Sequence, residues 1–162
     1  MKDRYWLIYL LLVAVQIVLG NFLNLGQLIV LCLLPLLVLS LPVKYTTPAV
    51  LLISFATGMM VDILTHGIPG LGTVALLPVA AGRLWIIRTV FGSELRARGE
   101  DLSVHKQGVP KIALAVLIAT ALYFAIFVWV DAAGTRSFGF CVLRWLLSTL
   151  ASTLLEILLL WK

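Results

Sequence analysis

Asp62, Arg83, Arg144 and Glu156 are ionisable residues set in otherwise apolar stretches of this chain. A charge at the centre of a membrane helix costs about 2.5–3.5 kcal/mol on insertion scales. Each of the four therefore requires a partner, a wet cavity or a function. For Asp62 three readings are open: a structural ion pair or a cap on the turn that follows it, a ligand-binding or proton-carrying acid, and direct contact with a partner protein. Catalytic motifs are missing. The sequence holds no His-Glu-x-x-His, no Gly-x-Ser-x-Gly and no Gly-x-Gly-Asp pair for an intramembrane protease. Nothing assembles a nucleophile with a base and an orienting group, so no catalytic residue is assigned and the chain is read as no enzyme. His66 and Asp62 alone make a poor metal centre, because zinc takes three or four protein ligands. Gly67, Pro69, Gly70 and Gly72 superficially resemble a phosphate loop. They follow a helix instead of a strand, so they are read as a tight turn and no cofactor is implied.

The elements that must position these residues belong to a membrane protein. Of 162 residues, 62% are hydrophobic and 12% charged, where a soluble domain carries about 25% charged residues. Apolar runs recur, each long enough to cross about 30 Å of hydrocarbon. They predict an all-α polytopic membrane protein with six transmembrane helices, near 5–21, 25–42, 48–65, 71–91, 111–131 and 139–161, forming a single integral membrane domain over 1–162. A five-span alternative makes the second run re-entrant. Pro35 and Pro78 lie inside the second and fourth runs and are expected to kink them. The first run lacks a small-x-small cleavage site and is read as an uncleaved helix. Cys32 and Cys141 fall in apolar runs on opposite sides of this topology and are expected to be buried thiols, not a disulfide.

Orientation follows from Lys and Arg. With the N-terminus inside, the cytoplasmic ends collect Lys2, Arg4, Lys44, Arg83, Arg88, Arg96, Arg98, Lys106, Lys111 and Lys162, and the outer side keeps Arg136 and Arg144. This bias puts both termini in the cytoplasm. It also accounts for the net charge of +5 without invoking nucleic acid. The stretch from Gly92 to Pro110 is a cytoplasmic loop of mixed charge, read as a solvated linker or as a docking surface for a partner or for anionic lipid.

Spacing then groups the polar residues. Ser54, Gly58 and Asp62 recur every four residues and share one face of the third helix, where small residues admit a neighbouring backbone. Arg144, Ser148, Ser152 and Glu156 recur every four residues on the sixth helix and form a polar stripe expected to face the bundle interior. Matching depths suggests two ion pairs, Asp62–Arg144 near the outer surface and Glu156–Arg83 near the inner one, with Arg83 snorkelling to the headgroups as the alternative.

These residues resemble the rod shape-determining membrane protein family MreD. The first helix carries Val15-Gln16-Ile17-Val18 and is followed by Leu23-Asn24-Leu25-Gly26. Gly58-Met-Met-Val-Asp62-Ile-Leu-Thr65 is similar to the family's Gly-x-x-x-Asp-x-x-Ser/Thr pattern. The turn Gly67-Ile-Pro69-Gly70-Leu-Gly72 and the basic stretch from Arg83 to Phe91 also match, and the resemblance covers essentially the whole chain. In one departure, Gly72 stands where the family often has His. The resemblance implies a fold like the substrate-binding subunit of energy-coupling-factor transporters. It also implies a non-enzymatic role in lateral cell-wall elongation and peptidoglycan synthesis in the bacterial inner membrane. The implied partners are the bitopic protein MreC, the RodA glycosyltransferase with its penicillin-binding transpeptidase, the MreB filament indirectly, and membrane lipid. A partner helix is expected to dock on the small face of the third helix and the outer turn. The competing expectation is a vitamin-carrier subunit, which needs an outward pocket with several polar groups.

Overall fold

The computed structural model describes residues 2–22, 26, 28–65, 69–92 and 108–161. Among them the chain is all helical: α1 (Lys2–Phe22), α2 (Leu34–Ser40), α3 (Thr47–Thr65), α4 (Leu71–Phe91), α5 (Val109–Ala132) and α6 (Phe138–Trp161). Helices α3 to α6 are long and apolar enough to cross a membrane, and α1 adds a shorter apolar stretch, Trp6–Phe22. This is a multi-pass membrane protein. The charged part of the loop between α4 and α5, residues 93–107, lies outside the described residues, as do His66 and Gly67.

Sequence neighbours pack on one another, α3 on α4, α4 on α5 and α5 on α6, while α1 lies against α3. Helix α4 continues through Pro78. Cys32 and Cys141 are both buried and unbridged. The short helix α2 sits among the long ones and touches α1, α3, α4 and α5, with Leu34 to Leu39 all buried.

The second run departs most from the sequence expectation. A helix over 25–42 is predicted; only Leu34–Ser40 is helical. Pro35 stands at the start of α2, not inside a longer helix that it kinks. Proline lacks an N–H and pushes the residue before it out of the α region, so a helix cannot run smoothly into it. The non-helical backbone of residues 28–33 then needs partners, because the membrane interior supplies no water.

Those partners are the side chains of the α6 stripe. Val30 N–H donates to Ser148 Oγ at 3.0 Å and Cys32 N–H donates to Ser152 Oγ at 3.0 Å. The same hydroxyls donate back to the carbonyls of Leu28 at 3.4 Å and Val30 at 3.3 Å. Leu33 N–H donates to Gln16 Oε1 of α1 at 2.5 Å, and Leu36 N–H donates to Glu156 Oε1 at 3.2 Å. The registers agree because two residues of extended chain advance about 6.6 Å and four residues of helix about 6 Å. Both rows run in the same direction, so the segment does not turn back on itself. It follows α6 from Ser148 to Leu160, about 18 Å of helix, where Leu160 and Ser40 wall one cavity.

Replacing Ser152 with Ala leaves the Cys32 N–H without its acceptor in a fully buried position. Ser152→Ala is expected to lower stability by about 1–3 kcal/mol. Thr89→Ala, at an exposed hydroxyl bonded to its own helix, should change it by no more than about 0.5 kcal/mol. Thermal unfolding in detergent micelles compares the two.

Candidate functional site

Asp62 is 1% exposed near the end of α3. Its carboxylate gathers the start of α4. Oδ2 accepts from Gly70 N–H at 3.1 Å, from Thr73 N–H at 2.9 Å and from Thr73 Oγ1 at 2.9 Å, and Oδ1 accepts from Gly72 N–H at 3.1 Å. The first N–H groups of a helix have no partner inside the helix, and the N-terminal end of the helix dipole favours a negative charge. A cap residue normally supplies that acceptor. Here the cap position is Gly70 at φ 105°, which has no side chain, and Asp62 acts in its place from the preceding helix. The left-handed φ at Gly70 is what lets the chain reverse tightly enough to bring α4 back to Asp62.

The small residues on α3 serve the same closure. A Cβ at Gly58 would lie 2.9 Å from Thr73 Oγ1 and 3.0 Å from Thr73 Cα, so α4 packs where a side chain would have been. Ser54 is fully buried on the same helix. This corrects the expectation that the small face receives a partner's helix: α4 of the same chain already occupies it. Tyr123 of α5 reaches the same place, its hydroxyl 3.1 Å from where a Cβ at Gly72 would lie. Gln16, Cys32, Asp62 and Tyr123 border a cavity of about 10 Å³, about the room that one water requires.

The proposed Asp62–Arg144 pair does not form. Arg144 Nη1 donates to Asp131 Oδ2 across the α5–α6 hairpin. The Arg136 guanidinium lies 4.8 Å from the centre of the Phe140 ring. The Glu156–Arg83 pair is likewise replaced. Glu156 is fully buried, accepting from Leu36 N–H and from Thr120 Oγ1 at 2.7 Å. Arg83 is 1% exposed, so it does not snorkel, and its Nη2 donates to the carbonyls of Leu41 and Leu39. Depth matching missed the element that lies between the two. The anion meets the start of α2 and the cation meets its end, and each sign suits the local helix dipole.

Gly58, Asp62, Pro69 and Gly70 therefore gather at the α3–α4 turn, with Ser54 buried two turns earlier on α3, while Ser148, Ser152, Glu156 and Arg83 converge on the 28–41 segment. Arg144 stands apart, with Asp131. Sequence reasoning missed Thr73, Thr120 and Tyr123, and did not assign Gln16 its acceptor role. Their signal is a polar atom inside an apolar run, which is weak because Thr and Tyr are common in membrane helices. Among the described residues no group of three His, Cys, Asp or Glu is placed to hold a metal ion.

The architecture and the site define an all-helical multi-pass membrane protein in which Asp62, Arg83, Ser148, Ser152 and Glu156 bind its own backbone. Comparison with protein-family models, with curated proteins and with solved structures finds no match to this chain.

Two measurements test this arrangement. A Cβ at Gly72 would collide with Asp62 Oδ1 and lie 3.1 Å from the Tyr123 hydroxyl, whereas one at Gly82 meets nothing within 4 Å. Gly72→Ala should destabilise by about 1–3 kcal/mol, and Gly82→Ala should be neutral or slightly stabilising, as read by unfolding midpoints. In double-mutant cycles, Asp131→Asn with Arg144→Gln should show a coupling of up to about 1 kcal/mol. Asp62→Asn with Arg144→Gln should be additive within about 0.5 kcal/mol.

Proposed function

We propose that this chain is a non-enzymatic scaffold of the lateral cell-wall elongation machinery, with both termini in the cytoplasm of a bacterial cell. It crosses the inner membrane six times, with the second crossing made partly by non-helical chain. Its partners are a bitopic MreC-like protein and, through it, the RodA glycosyltransferase with its transpeptidase and the MreB filament. The observation that carries this reading is the use of the interior polar groups. Asp62, Ser148, Ser152, Glu156 and Arg83 all bond to the chain's own backbone or to its own hydroxyls. They maintain a shape and leave no reactive group turned toward a substrate. Gly58, Asp62, Gly70 and Gly72, among the residues that carry the family resemblance, build the α3–α4 turn. The carrier reading asks for a polar pocket, and the cavity beside Asp62, at about 10 Å³, is far below the few hundred Å³ of a small-molecule site.

With the small face of α3 taken up internally, the partner's helix docks on the outward face of the same helix, where Leu52, Phe55, Met60 and Ile63 are exposed. Asp62→Arg is then a folding variant, and Phe55→Ala with Ile63→Ala is an interface variant. The outward pair should lose co-purification with the bitopic partner and round the cells while keeping the wild-type unfolding midpoint. Asp62→Arg should lose the complex and the midpoint together. Normal rods and an intact complex in the outward double variant would exclude this surface. Normal rods after depletion of the chain would exclude the scaffold role itself.

A further inference from the structure

Residues 28–33 lie outside any helix, and along extended chain successive backbone groups point to opposite sides. Val30 and Cys32 face α6, where Ser148 and Ser152 accept their N–H groups. Leu33 faces the other way and donates to Gln16 of α1. By the same alternation the N–H and C=O of Leu31 face away from α6. Among the described residues neither group has a hydrogen-bond partner. Leu31 borders the cavity of about 10 Å³ that Gln16, Asp62 and Tyr123 also border.

The side chains around that cavity have bonding capacity left. Asp62 Oδ2 accepts three hydrogen bonds, but Oδ1 accepts one, from Gly72 N–H. A carboxylate oxygen has room for a second. Asp62 Oδ1 and the Tyr123 hydroxyl both lie within 3.1 Å of the point where a Gly72 Cβ would stand. The two oxygens are therefore no more than about 6 Å apart, a gap that one water closes with two hydrogen bonds of about 2.8 Å. The Gln16 amide adds N–H donors to the oxygen that Leu33 engages. Size and chemistry select the occupant. The volume holds one water, which needs two to four polar partners. Donors and acceptors are mixed here, and water serves both. A hard metal cation takes oxygen ligands and would meet N–H groups, while an anion would meet Asp62.

We propose that this cavity is a binding site for a single buried water, bonded to Asp62 Oδ1, the Tyr123 hydroxyl and the backbone of Leu31. The water joins the α3–α4 turn to α5 and to the non-helical segment, and it gives Leu31 the partner that α6 gives its neighbours. The site is independent of the scaffold role.

Radiolytic hydroxyl labelling of the full chain in detergent tests the site, because radicals formed from a bound water oxidise the side chains that touch it. Phe127 borders the cavity, while Phe124, on the same helix and at least as deeply buried, does not. Phe127 should be oxidised several-fold faster than Phe124. Val61 also borders the cavity. Val61→Ile should bring Phe127 down to the Phe124 rate and lower the unfolding midpoint, since the displaced water's hydrogen bonds are lost. Equal rates at the two phenylalanines of the wild type would overturn the site. So would a raised midpoint in Val61→Ile, the mark of a dry void being filled. Exchange of sodium for choline in the buffer should leave labelling and midpoint unchanged, and a midpoint that falls without sodium would replace the water with a bound cation. Should Val61→Ile fail to fold, the comparison of Phe127 with Phe124 in the wild type decides by itself.

Discussion

Backbone N–H groups inside a membrane must find acceptors within the protein, and the segment 28–41 places several of them there outside any long helix. Each unsatisfied group in hydrocarbon costs several kcal/mol, comparable to the whole stability of a domain. The rest of the interior is arranged around that need. Helix α6 presents Ser148, Ser152 and Glu156 at four-residue spacing. Gln16 reaches in from α1, and Arg83 of α4 closes the far end. Three helices are thereby tied to one strand-like segment by hydrogen bonds instead of by apolar packing alone. Apolar contact gives little drive between helices in lipid, so such bonds set the arrangement as much as they stabilise it.

The turn between α3 and α4 solves a smaller version of the same problem. There the orphan groups are the first N–H groups of α4, and the acceptor is one carboxylate. The solution works only at close range. Gly58 lets Thr73 approach, Gly72 leaves room for Asp62 and Tyr123, and Gly70 reverses the chain. A carboxylate is suited to this because its two oxygens accept from several donors at the start of a helix. Asp62 is therefore buried without an opposing charge, its compensation coming from N–H dipoles.

The long helices were legible because hydrophobic length and flanking charge report them directly. Thr47–Thr65 and Leu71–Phe91 fall within a residue of the sequence expectation. The second run was misread because continuous apolar sequence does not distinguish a buried helix from buried extended chain. Pro35 was the available signal, since a proline near the start of a helix is favoured and one in the middle is not. Of the stripe on α6, Ser148, Ser152 and Glu156 face inward as expected, and Arg144 does not join them. Its partners were assigned wrongly, because opposite charges at equal depth suggest ion pairs while the sequence does not reveal a non-helical backbone lying between them. Asp62 shows the same bias. A cap on the following turn was among its readings, and it gained a distant arginine only because an acid invites a base.

The consequence for function is a division between a rigid interior and a permissive exterior. Helix α2 is held at its start by Glu156 and at its end by Arg83. Moving α2 as a unit would expose a carboxylate and a guanidinium to hydrocarbon together, and a carrier that opens and closes would have to meet that penalty in each cycle. A scaffold has no such requirement. It needs constant helix surfaces on which other membrane helices can settle, and hydrogen bonds along 28–41 fix the relative heights of α1, α4 and α6. The outward residues can then be large and apolar, as Leu52, Phe55 and Ile63 are, because recognition among membrane helices depends on shape at a fixed depth more than on charge. In the proposed scaffold role, the interior polar stripe acts on binding through the rigidity it gives to these apolar faces.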